Sequence, residues 1–258
     1  MENKAIVDIE ENKNDIDTQK SDIDISQKDS KSLSLVKKIS LAATGTIGLY
    51  LISFIVSLIA ILIVGKDTDS INGIVDFVTY GLLFAALVGI LNKDILLFKN
   101  DFKRWTDVLI GVAFGIGVIV LPTLYNLLVE YFYPHNVNDN EQTLRSFINI
   151  YPVCSIIFLG IIGPACEELT YRAGLFNIFN NKKMKWLGYL LSIVIFSFMH
   201  FNPFSSDIIG ELINLPNYVI CAVLLTVAYD KFGFGASFTA HSLNNLYAVI
   251  AFIITSRL

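Results

Sequence analysis

The chain has 258 residues, 54% of them hydrophobic and 16% charged, with a net charge of -4 and a mean hydropathy of +0.60. A soluble domain of this length carries about a quarter charged residues, so one water-soluble core is excluded, and the lack of a basic stretch excludes a nucleic-acid partner. Cys154, Cys166 and Cys221 are far apart, in or beside apolar blocks and without CxxC spacing, which argues against a disulfide framework or a zinc knuckle.

In chain order, residues 1–36 come first as an acidic, polar segment; the first 38 residues hold 16 of the 42 charges. Asp8, Asp15, Asp22 and Asp29 recur every seven residues, with Ile9, Ile16 and Ile23 after the first three. A coiled-coil seam needs two apolar positions per heptad, so one is insufficient. A disordered tail is expected, read as a solvated tether, with binding of a cytoplasmic partner as the alternative. It is not a signal peptide, because its apolar block starts late and follows acid.

Residues 37–258 alternate apolar blocks with short polar gaps, which predicts an all-α, polytopic transmembrane helical bundle. A crossing helix needs about 20 apolar residues. Seven blocks qualify, with six to eight as the range: Ile39 to Val64, Ile71 to Leu91, Val108 to Val129, Asn149 through the stretch "GPACEELTYR", Trp186 past His200, Ile208 to Tyr229, and Phe234 to Thr255. Lys37, Lys38, Lys93, Lys99, Lys103, Arg104, Lys182, Lys183, Lys185 and Lys231 then all fall on one side. By the positive-inside rule that side is cytoplasmic. The expected protein is thus a multi-pass cell-membrane protein in contact with lipid, its N-terminus cytoplasmic and its loop from Glu130 to Phe147 facing outward.

The fourth block is predicted to continue as one helix through Pro164, since proline is tolerated where neighbours re-satisfy the freed carbonyl. Glu167 and Glu168 then lie near mid-depth, where ionisable groups are costly and usually functional. Glu168 and Arg172 share a face four residues apart, acid first, the favourable order for a pair. Glu167 points about 100° away, on the face of Tyr171 and without a counter-ion, which makes it the candidate proton acceptor. An ionic lock between helices is the bland alternative. In the fifth block Ser192, Phe196 and His200 share a four-residue stripe; in the seventh, His241 and Asn245 do. Two of the chain's three histidines thus sit in apolar helices. His200 lies about 21 Å beyond Trp186 on a helix, so it can meet Glu167 only if the fourth helix does continue. Asp76 and Glu211 also fall in apolar blocks; both are read as structural, with Glu211 reaching interfacial water.

EExxxR (Glu167, Glu168, Arg172), FxxxH (Phe196, His200) and HxxxN (His241, Asn245), in that order, resemble the three motifs of the CAAX protease and bacteriocin-processing family of intramembrane endopeptidases (the Abi-type group). The resemblance covers about residues 150–250, and the Tyr171–Arg172 pair and Ser192 match too. It implies a hydrolase in which Glu167 and His200 activate a water, and His241 and Asn245 stabilise the oxyanion. Glu168 and Arg172 would hold the structure, with Tyr171 and Phe196 beside them. The implied substrate is a membrane-associated peptide or protein: prenylated and CAAX-like, or a bacteriocin or pheromone precursor. With HExxH absent, the resemblance to the enzymes that trim prenylated proteins implies a metal-free mechanism and no cofactor; zinc on Glu167, His200 and His241 is the alternative. The rival function is a non-catalytic one, bacteriocin self-immunity or a membrane scaffold. A proton-relaying transporter predicts internal repeats, and none is seen.

Overall fold

The computed structural model describes residues 33–65, 69–134 and 137–256. The chain divides into Met1–Ser34 and a helical unit, Leu35–Leu258. The expected tail therefore lies, but for residues 33–36, outside the described residues, as does His135. Residues 35 and 36, counted with the tail above, already belong to the first helix.

Six helices are long and apolar enough to cross a membrane: α1 (Leu35–Val64), α2 (Ile71–Asp101), α3 (Trp105–Phe132), α5 (Pro152–Phe176), α7 (Ile208–Phe232) and α8 (Phe234–Thr255). Two shorter ones complete the unit, α4 (Asp139–Ile150) and α6 (Lys185–Phe198), and no strand occurs among the described residues. Large apolar side chains stand outward along the bundle, such as Leu62, 76% exposed on α1, and Leu128, 68% exposed on α3. Such a surface would associate in water and suits lipid. The protein is a multi-pass membrane protein, and the expected polytopic helical bundle is what the structure shows.

Two elements differ from expectation. The fifth apolar block was expected to span, but α6 has 14 residues and closes at Phe198, about 21 Å of helix against a hydrocarbon core of about 30 Å. The reason follows five residues on. Pro203 has no N–H and disfavours helical backbone at Asn202, so the chain must turn there. The loop expected to face outward also contains a helix, α4. Asn138 caps it by accepting from Glu141 N at 3.1 Å, and Asp139 and Glu141 place negative charge in its first turn. Tyr151, held at φ -129° before Pro152, separates it from α5.

Packing concentrates on α8. Gly111 and Gly115 on α3 let α8 come close: a Cβ on Gly111 would lie 2.7 Å from Ala236 O, and one on Gly115 3.1 Å from Ala240 O. Small residues four apart are how membrane helices achieve such approach. Gly174 of α5 meets α1 in the same way, with a Cβ position 2.7 Å from Ala42 N. Among the described residues, buried clusters include Val118–Leu225–Ala240 and Tyr171–Phe196–Ala222. The helix α5 runs unbroken through Pro164, but Phe158–Ile162 and Glu168–Phe176 are π-helical.

Candidate active site

The site starts from Glu168, which is fully buried on α5. A carboxylate with no water around it needs other donors, and three surround it. Arg172 Nη1 donates at 3.0 Å, His241 Nδ1 lies 2.8 Å away, and Ser237 Oγ also donates. Arg172 is itself wholly buried; it lies 4.7 Å from the Phe196 ring centroid and donates to Ala222 O at 3.4 Å. This charged cluster joins α5, α6, α7 and α8. Phe196 also meets Tyr171 edge-on at 5.3 Å, and Ser192 Oγ donates to Tyr171 O at 3.0 Å.

An ionised carboxylate only accepts, so His241 carries its hydrogen on Nδ1 and turns Nε2 toward Glu167 Oε2, 3.5 Å away. The Glu167 side chain is 19% exposed, yet its Oε2 is buried with no hydrogen-bond partner. Buried polar atoms are nearly always satisfied, so this oxygen is poised for a hydrogen from outside the protein framework.

His200 sits in the closing turn of α6. Its backbone N–H bonds Ser197 O at 3.2 Å, and its Nδ1 takes the Phe196 carbonyl at 2.8 Å. A carbonyl only accepts, so Nδ1 carries a hydrogen and, in the neutral ring, Nε2 is left as an acceptor. The ring stacks on Tyr218, centroids 4.6 Å apart. Glu167 and His200 line one cavity of about 50 Å³ together with Tyr80, Asn140, Thr170 and Tyr171. A water needs at least about 10–15 Å³ of such space, so the cavity has room for water.

Asn245 lies one turn beyond His241, and its Nδ2 donates to Leu159 O, in the first π-helical stretch, at 3.0 Å. One amide hydrogen is thus committed and the second is not. As for zinc, no group of three or more His, Cys, Asp or Glu among the described residues is arranged to hold a metal ion. No step below uses a metal.

Sequence reasoning missed the groups behind His200. Asn138 and Asn140 donate to Tyr218 Oη at 3.2 and 3.1 Å, and Asn138 donates to His200 O at 3.3 Å. Glu211, expected at interfacial water, is only 2% exposed. It accepts from Asp139 N at 2.7 Å and Asn202 N at 3.0 Å, clamping α4 to the turn after His200. An acid in the first turn of α7 was the one local hint, since helix starts favour negative charge; its partners come from other elements.

Residues 149–247 match the family model described as type II CAAX prenyl endopeptidase Rce1-like. Among curated proteins, the chain is 29% identical over 153 residues to UPF0177 protein YxdF of Lactococcus lactis subsp. lactis (strain IL1403), covering 58% of this chain and 80% of that one. It is 22% identical over 143 residues to UPF0177 protein YajF of the same strain, covering 52% and 69% respectively. No solved structure matches the chain.

Proposed function

We propose that this chain, whose residues 149–247 match the Rce1-like type II CAAX prenyl endopeptidase model, is an intramembrane endopeptidase that hydrolyses a membrane-associated peptide or protein without a metal. The observation that carries this reading is the water-sized cavity shared by His200 and Glu167, whose Oε2 lacks a partner.

In the proposed reaction a water in that cavity donates one hydrogen to His200 Nε2 and the other to Glu167. As Glu167 takes the proton, the water oxygen forms a bond to the scissile carbonyl carbon. Charge moves to the carbonyl oxygen, where His241 Nε2–H and the second amide hydrogen of Asn245 are the candidate donors. With Nδ1–H already given to Glu168, His241 offers Nε2–H only as the imidazolium. Glu167 then returns its proton to the leaving nitrogen as the C–N bond breaks, giving one new carboxyl and one new amine terminus. General-base catalysis supplies ~10²- to 10⁴-fold, and each oxyanion donor ~10²- to 10³-fold. Tyr171 and Phe196 pack the cluster, while Glu168 and Arg172 hold α5 in register with α7 and α8. The lysine and arginine distribution supports a cytoplasmic N-terminus, and a cell-membrane location is part of the same proposal.

The test uses the purified full chain in lipid nanodiscs, offered a farnesylated CAAX peptide and unprenylated amphipathic peptides, with products read by mass spectrometry. Wild type should generate new termini, and E167Q should do so at least ~10²-fold more slowly. Equal product from E167Q would overturn the proposal and favour a non-catalytic immunity or scaffold role.

A further inference from the structure

A second, larger cavity of about 440 Å³ lies between α2, α4 and the turn after His200, lined by Asn72, Asp76, Asp139, Gln142, Thr143 and Asn202 among others. Its size falls within the roughly 300–1,000 Å³ range of ligand sites, whereas the cavity at Glu167 is about 50 Å³. The same three elements line both spaces. On α2, Asp76 faces the large cavity and Tyr80 the small one; on α4, Asp139 and Asn140 divide likewise; after α6, Asn202 and His200 do. Four residues along α2 is about 6 Å, or about two residues of extended peptide.

We propose that this cavity is the substrate subsite next to the scissile bond, and that it takes a lysine or arginine side chain with Asp76 as counter-ion. This rests on the endopeptidase reading and names the substrate chemistry it selects. Amide and hydroxyl groups of Asn72, Gln142, Thr143 and Asn202 suit a hydrogen-bonding guest. The charge of the lining is one-sided: none of its residues is basic. Asp139 already accepts from Asn202 Nδ2 at 2.7 Å. Asp76, half-buried in the wall, has no hydrogen-bond or ion-pair partner among the described residues. A carboxylate so placed favours an incoming cation and disfavours an acidic residue.

The experiment offers the full chain in nanodiscs a library of 14-residue peptides, randomised around an apolar anchor, and sequences the products by mass spectrometry. The readout is the ratio of basic to neutral residues within three positions of each cut, taken within each variant so that overall rate cancels. Wild type should favour lysine or arginine about fivefold, the scale of one partly screened ion pair. D76N should bring that ratio close to one, and D76K should turn it toward aspartate and glutamate. Q142K alters an exposed lining residue and should also abolish the preference. A wild-type ratio near one, or a ratio unchanged in both D76N and Q142K, overturns the subsite while leaving the endopeptidase reading intact. No cleavage of any peptide by wild type overturns that reading and the subsite with it.

Discussion

The charged cluster on α5 allows a sharp energetic test, the substitution Glu168→Gln. Glutamine keeps the shape but offers one acceptor and two donors where Arg172, His241 and Ser237 present three donors. Arg172 would be left buried with a 3.4 Å bond to Ala222 O and the face of Phe196. Breaking a buried ion pair by removing one partner costs about 3–5 kcal/mol, and little here offsets it. Arg172→Met is milder, because Glu168 retains His241 and Ser237. The double variant removes the stranded cation, so it should recover part of the loss, with a coupling of about 2 kcal/mol for groups in direct contact. Unfolding in mixed micelles by SDS titration, followed by tryptophan fluorescence, measures all four corners of the cycle. A loss below about 1 kcal/mol for E168Q with coupling near zero would refute the reasoning, showing that Arg172 finds solvent in the folded state.

Tyr218→Leu removes the ring that stacks on His200 and should lower peptide turnover about tenfold or more, since small displacements of reacting groups are costly. Tyr218→Phe keeps the stack, loses only the hydroxyl that Asn138 and Asn140 donate to, and should stay within a few-fold of wild type. Glu211→Ala leaves Asp139 N and Asn202 N without their acceptor and should cost about 1–3 kcal/mol for each, read from the same SDS titration. Glu211→Gln retains one acceptor oxygen and should lose roughly half as much.

The helices that dominate this fold were legible because length and apolar content alone decide which segments can cross a bilayer. Glu168 and Arg172 could be placed on one face because spacing of four holds them together even where the backbone widens to a π-helix. The end of α6 was signalled by Asn202–Pro203, and α4 by Asn138 with Glu141 three residues later, a capping pattern that hydropathy overshadows. Tyr218 and Glu211 carried little such signal. One is an aromatic in an apolar helix and the other an acid at a helix start, and their importance comes from His200, Asn138, Asp139 and Asn202, which are remote in sequence. The π-helical stretches of α5 were equally invisible, because wide turns arise from tertiary demand more than from composition.

Those wide turns have a consequence for how the chain tolerates change in length. Deleting one residue from a regular helix swings everything downstream by about 100°, which upstream of Glu167 would aim both carboxylates into the wrong neighbours. Phe158–Ile162, bonded at the longer spacing of a π-helix, carries slack that regular α-helix lacks. Loss of a residue there can be absorbed by tightening to ordinary helix, leaving the paired acids facing α8 as before. The distortion that hands Leu159 O to Asn245 thus also acts as an indexing joint between the parts of α5 on either side of it.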